Sequence, residues 1–305
     1  MDAPLLDDLA IVDAHHHLWK TSENYLPWLC DAPPIPFRYG DYSAIRRDYM
    51  PDDYRRDTAG LTIAGSVYIE TEWDPGDPVG ETAWIHGVAE ANGFPDAVVC
   101  QAWLDADDVG DVLARQSAYA RVRSVRHKPK AVSTPDAVVR DAPGSMGDMA
   151  WRRGFSLLEP HGLSFDLQTP WWHLEEAADL AAAFPHTQII LNHTGLPSDR
   201  SREGLDAWAA AMRRFAEAPN VAVKISGLGV PGAPWTAESN REIVLTTIET
   251  FGVRRCMFAS NFPVDSLVAS YRTIFEGFSQ ITADFSRDER AALFADNARR
   301  LYRFA

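Results

Sequence analysis

Eight short apolar runs, each followed by polar or helix-periodic sequence, set the limits on what this chain can fold into. They span residues 9–15, 65–70, 97–103, 122–126, 163–167, 188–192, 221–225 and 256–260. Between them, 80–91, 174–183, 203–216 and 238–250 carry apolar residues three and four positions apart, the spacing of a helix with one buried face. Strand–helix alternation of this kind packs as a parallel sheet covered by helices. Eight such units predict a single-domain α/β protein over residues 1–305, a (β/α)8 or TIM barrel. The 305 residues would also fill two average domains, but no Ser/Gly/Lys tract reads as a linker. The Pro-rich stretch 20–50 follows the first strand directly and, in a barrel, would lie over the C-terminal face as a lid.

An open doubly wound sheet is the rival architecture, and Gly227-Leu228-Gly229-Val230-Pro231-Gly232 matches the dinucleotide-binding pattern GxGxxG. Its context opposes that reading. The string follows the seventh run, and Pro231 and Pro234 continue it as loop where a phosphate site needs a helix N-terminus.

The composition, 46% hydrophobic and 24% charged, is that of a globular domain. A net charge of −14 without any basic run excludes a nucleic-acid partner, because phosphate contacts need clustered Lys and Arg. No apolar stretch approaches the roughly 18 residues that span a bilayer, and the acidic N-terminus MDAPLLDDLA is unlike a secretory leader. Cys30, Cys100 and Cys256 lie far apart and form no CxxC pair, so they read as reduced thiols. A cytoplasmic protein acting on a small molecule is expected, with no membrane partner; a homo-oligomer is left open.

The first run ends in Asp13-Ala14-His15-His16-His17. Strand alternation predicts Asp13, His15 and His17 on one face and His16 on the other. Such a face offers nitrogen ligands for a borderline divalent metal such as zinc, or a proton-transfer cluster if no metal binds. Barrel chemistry sits where strands end, and the other ends are polar as well: Glu70 and Glu72, Arg123, Arg126 and His127, Asp166 and Gln168, His193, Lys224 and Ser226, Asn261 and Asp265. Arg126 suits either an interhelical ion pair or the binding of a substrate carboxylate. Lys224, ending a buried strand, needs a partner or a task. No GxSxG, SxxK or HExxH string occurs, which leaves water or a metal-bound water as the nucleophile of any hydrolysis.

Five strings in order, Asp13 to Trp19, Asn192-His193-Thr194-Gly195-Leu196-Pro197, Val223-Lys224-Ile225-Ser226-Gly227-Leu228, Met257 to Val264 and Asn297 to Tyr302, make the chain resemble the amidohydrolase superfamily. The resemblance is to its amidohydrolase-2 branch of sugar-acid and pyrone lactonases. It implies a barrel with its site at the C-terminal mouth, His15 and His17 as the family's HxH, and His193 as its strand-six histidine. Those three would hold a metal where one is bound. Arg126 matches an arginine that can bind substrate carboxylate, and Lys224 the lysine of a KxSG string. The family's strand-eight aspartate, its general base, is here Asn261, and the Asp of its Asp-His string is Asn192. An amide cannot take a proton at neutral pH, so the base must come from elsewhere. Asp265, Asp166 and the histidines are the candidates, with helix capping as the alternative for Asp265. The expected activity is hydrolysis of a small carboxylated or hydroxylated lactone by His15, His17, His193, Lys224 and Asp265, with Arg126, Asp166 and Asn261 binding substrate. A metal-dependent decarboxylase of aromatic acids and a non-catalytic small-molecule binder are the alternatives.

Overall fold

A computed structural model describes Leu6 and residues 9–304. Eight strands run β1 (Ile11–His16), β2 (Ile63–Ile69), β3 (Ala97–Gln101), β4 (Val122–Arg126), β5 (Ser164–Leu167), β6 (Ile189–Leu191), β7 (Val221–Ile225) and β8 (Cys256–Phe258). They form one parallel sheet in sequence order. The sheet closes on itself just beyond β8: His16 bridges Phe262, Asn261 N–H donates to His15 O at 2.8 Å, and His17 N–H donates to Phe262 O at 2.7 Å. The expected helices lie within Pro78–Asn92, Leu174–Ala183, Arg202–Ala216 and Ala237–Phe251. The architecture is the (β/α)8 barrel read from the sequence. Among the described residues no helix is long and apolar enough to cross a membrane.

Small and branched side chains fill the barrel interior, among them Val12, Ala14, Val67, Val99, Ala222 and Met257. Ala298, Leu301 and Tyr302 from the C-terminal helix Asn297–Tyr302 join the same cluster. Arg303 fastens that segment to the N-terminal ends of the sheet by donating to Arg123 O and Gly162 O. One end of the barrel is thereby plugged, and chemistry is left to the other.

The pairing of β1 with β2 corrects one sequence expectation. Asp13 pairs with Ser66 and His16 with Tyr68, so three residue steps on β1 span two on β2. A bulge of this kind inserts one residue and reverses the facing of what precedes it. Asp13 therefore shares the outer face with His16, not the inner face with His15 and His17. There it accepts from Ser260 N at 2.9 Å, Ser260 Oγ at 2.6 Å, and the Tyr54 and Tyr271 hydroxyls at 3.2 Å each.

Candidate active site

A cavity of about 380 Å³ opens among the C-terminal strand ends. Its walls include His17, His193, Arg126, Gln168 and Asn261 from the strand ends, with Lys128 and Glu72 just beyond them. Trp28, Ile35, Phe37 and Arg38 of the 20–50 segment complete it.

His17 and His193 meet His15 beneath the cavity. The His15 and His193 ring centroids are 4.6 Å apart, and the Nε2 atoms of His15 and His17 are 3.3 Å apart. Nδ1 of His17 lies 2.9 Å from Ile69 O. A carbonyl only accepts, so the proton of neutral His17 sits on Nδ1 and its Nε2 carries a lone pair. His15 Nε2–H then donates to it, and His15 Nδ1 is left buried without a partner. His193 bonds Ser226 Oγ through Nδ1 at 2.9 Å, which leaves Nε2 for the cavity. Burial, reinforced by nearby cations, holds all three imidazoles well below their ordinary pKa; Lys224 contributes most at His15, Arg126 at His17 and Arg38 at His193. They are neutral at physiological pH.

Imidazole nitrogens about 2.0–2.1 Å from a tetrahedral zinc stand roughly 3.3 Å apart, so the His15–His17 spacing suits one edge of such a site as well as a shared proton. A third donor is what the pair lacks. Among the described residues no three His, Cys, Asp or Glu side chains come together as a metal-holding group. The carboxylate in the cavity wall, Glu72, is paired with Lys128, and Asn261 occupies the strand-eight position. The donor set does not fit a tight divalent site.

Arg126 is 3% exposed, and its ion pair runs between strand ends rather than between helices. Its Nε is paired with Glu70 Oε1, Nη2 donates to Glu70 O at 2.5 Å, and Nη1 donates to Gln168 Oε1 at 3.0 Å. One N–H on each terminal nitrogen remains for a molecule in the cavity. Lys128 pairs with Glu72 at 2.5 Å, and Arg38 with Asp265 at 3.3 Å. Burial alone would raise the Glu72 pKa, but the Lys128 ammonium outweighs it and holds the carboxyl below its ordinary range.

Three expected site residues are placed elsewhere. Lys224 and Asp166 are fully buried inside the barrel, where Lys224 Nζ donates to Asp166 Oδ1 at 2.5 Å and the Tyr302 hydroxyl donates to the same oxygen at 2.8 Å. Neither lines the cavity. Burial pulls the Lys224 pKa down to about 8 against the pull of Asp166. With Tyr302 they form a buried polar cluster inside the barrel. Asp265 is 1% exposed and its Oδ1 accepts from Asn261 Nδ2 at 2.6 Å and the Tyr39 hydroxyl at 3.0 Å, besides Arg38. It stands behind Asn261 and does not reach the cavity. Nor is it a helix cap: residues Val264–Leu267 form a 3₁₀ turn without a side-chain cap, and Ser270 caps the helix Tyr271–Ile281. With Nδ2 committed to Asp265, Asn261 presents Oδ1 to the cavity as an acceptor.

Backbone strain marks the same place. Of the seven non-glycine residues with positive φ among the described residues, Glu72, His193, Leu196 and Asn261 line the cavity. Residues 193–196 are all left-handed, with φ of 55°, 52°, 69° and 56°. A run of this kind is costly for L-residues and persists only where surrounding bonds impose it. Here Trp208 Nε1 donates to Thr194 O at 2.7 Å and holds the turn that aims His193.

Arg38 and Lys128 are not singled out by the sequence, and Trp28 enters there only as part of the 20–50 lid stretch. Lys128 lies two residues beyond β4, where the strand-end rule could have been carried further. Arg38 and Trp28 sit in aperiodic, proline-rich sequence that gives no facing. Trp28 is fixed by its indole N–H donating to Thr71 O at 2.8 Å.

Comparison with known proteins places this geometry in a lineage. The family model described as Amidohydrolase matches residues 12–304. A Sinorhizobium fredii protein named y4mH is 44% identical over 298 residues, covering 98% of this chain and all of its own. An L-fucono-1,5-lactonase of Burkholderia multivorans is 27% identical, with 95% of each chain covered. A Burkholderia multivorans amidohydrolase, solved with HEPES bound and separately with zinc bound, superimposes with a TM-score of 0.79 at 24% identity over 97% of this chain and all of its own. The fold, the ordered strand-end strings and the nearly full-length family match agree, and the chain belongs to the amidohydrolase family.

Proposed function

We propose that this protein hydrolyses a small lactone to its hydroxy acid at the C-terminal cavity. The observation that carries this reading is the convergence of neutral His193, the free amide oxygen of Asn261 and the remaining N–H groups of Arg126 on one cavity. The 27% identity to an L-fucono-1,5-lactonase supports the reaction class. Asn261 Oδ1 accepts from a water and orients it, while His193, in the tautomer whose Nδ1–H donates to Ser226 Oγ, takes its proton on Nε2 as the oxygen bonds to the lactone carbonyl carbon. Arg126 and Lys128 donate to the carbonyl oxygen as it becomes anionic. When the tetrahedral intermediate collapses, the ring C–O bond breaks and the leaving oxygen receives the proton from His193. One water is consumed and one hydroxy acid formed. The 20–50 segment acts as a lid, its Trp28 and Phe37 excluding bulk water. The neutral donor set implies that zinc, if bound, is held weakly.

Acid release from a panel of aldono-1,4- and 1,5-lactones, followed by pH-stat, tests the assignment. Turnover of at least one lactone that is lost in His193→Asn is expected. Carbon dioxide release from hydroxybenzoates, or saturable binding of lactones without turnover, would contradict it.

A further inference from the structure

Beside the main cavity lies a second one of about 180 Å³, walled by the loops that follow β5, β6 and β7. The two share Arg38 and Leu196, so a molecule in the first can extend into the second across these side chains. The second is largely apolar, with Pro170, Trp172, Pro197 and Val230 in its wall, and it contains no acidic residue. Its remaining cation is Arg200. The Arg200 guanidinium is half-buried, donates through Nη2 to Leu228 O at 2.8 Å, and leaves Nε buried without a partner. Among the described residues Arg200 has no carboxylate within ion-pair distance, although acidic side chains outnumber basic ones in the chain by 43 to 29. A partly buried guanidinium without a counter-ion keeps its charge and N–H groups for an anion.

The glycine string 227–232 finds its use here. No helix begins until Ala237, so the string is not a phosphate-binding helix start. Gly227 has φ +63°, and a Cβ there would lie 2.7 Å from His193 Nδ1 and 2.9 Å from Arg38 Nη2. At Gly229 a Cβ would lie 2.5 Å from Val268 Cγ2 and 3.1 Å from the Tyr39 hydroxyl. The missing side chains let Arg38 and Tyr39 pack down into the boundary between the two cavities, within reach of both.

We propose that the second cavity is a substrate subsite that takes an apolar substituent ending in a carboxylate, with Arg200 as its receptor. This rests on the lactonase reading and narrows it to lactones bearing an acidic side arm. Arg200 determines specificity and takes no part in bond breaking.

The test compares two lactones that differ only in the arm, one ending in a carboxylate and the other in its methyl ester. Wild-type kcat/KM is expected to favour the carboxylate by about tenfold or more, and in Arg200→Gln that ratio should fall to about one. The ratio is an internal control against loss of folded enzyme, and thermal melting of the variant checks it separately. Calorimetric binding of 4-phenylbutyrate, with 4-phenylbutanol as its uncharged counterpart, gives a readout that needs no turnover. Arg200-dependent binding of the acid with no lactone turned over would support the subsite while sinking the lactonase reading. Equal use of the two lactones by wild type, or a preference that survives in Arg200→Gln, would overturn the subsite.

Discussion

The two faces of β1 carry the same kinds of side chain and put them to opposite uses. On the inner face His15 and His17 share a 3.3 Å Nε2–Nε2 approach under a cavity ringed by cations. On the outer face Asp13 and His16 are sealed between the sheet and its helices: His16 lies 4.6 Å from the Tyr54 ring, and Asp13 ties β1 to Ser260, Tyr54 and Tyr271. Residue type does not separate the two roles. The surroundings do, because imidazoles that meet one another beneath an open cavity can exchange protons, whereas one stacked among aromatic rings only packs. One inserted residue between Asp13 and His16 decides which side chain falls on which side.

The contrast is tested most strongly by removing one histidine of the cluster beneath the cavity and the one on the outer face of β1. On an active lactone, His193→Asn should lower kcat by roughly 10²- to 10⁴-fold while leaving the melting temperature nearly unchanged. His16→Phe should keep kcat within a few-fold, since the ring stays among Tyr54, Tyr68 and Phe94. Similar losses of kcat in both variants would erase the distinction between the faces.

Asp13→Asn probes the outer face alone. The amide replaces one acceptor oxygen with a donor facing hydroxyl and N–H groups that already donate, which should cost about 2–4 kcal/mol in denaturant unfolding. Unchanged stability would show that the Ser260, Tyr54 and Tyr271 bonds do not hold the barrel seam.

The acid limb of stability is the next lever. Burial lowers the His16 pKa from 6.5 to about 3, so between those values the unfolded chain binds a proton that the folded one does not. Stability therefore rises with pH across that window and is lost as pH falls from 6.5 toward 3, by up to about 4 kcal/mol for this group. Urea unfolding from pH 7 to pH 4 should show a shallower decline in His16→Phe than in wild type; parallel declines would remove His16 as a source of acid sensitivity.

The smallest expected change belongs to Asn261→Asp. The new carboxylate would meet Asp265 Oδ1 where Nδ2 now sits at 2.6 Å, and two carboxylates that close share a proton. The acid limb of kcat/KM should move to higher pH with less than about a tenfold change at its maximum. An unaltered pH profile would mean that the Asn261–Asp265 contact does not face the reaction.

Much of the fold was legible because a barrel strand buried on both faces reads as a continuous apolar run. The expected spans 122–126 and 221–225 coincide with β4 and β7, and the other strands differ only at their ends. The gathering of His15, His17, His193, Arg126 and Asn261 was legible for the same reason, since strand ends share one mouth. The bulge was not, because strict alternation assumes regular pairing and the extra residue shows only in the register against Ser66 and Tyr68. Asp166 and Lys224 end strands as expected but point at each other and at Tyr302, a partner 136 residues from Asp166 along the chain. The place of Asp265 behind Asn261 is not legible, because its three partners, two of them in the aperiodic 20–50 segment, meet only in the folded chain.

In the proposed reaction a neutral imidazole, His193, takes the proton of the attacking water without a tightly held metal. The most direct test of this step is the lactone turnover of protein dialysed exhaustively against chelator, with zinc counted by elemental analysis before and after. Substoichiometric zinc and undiminished turnover that disappears in His193→Asn are expected. Near-stoichiometric zinc in the protein as purified, whose removal abolishes turnover and whose return restores it, would contradict the claim.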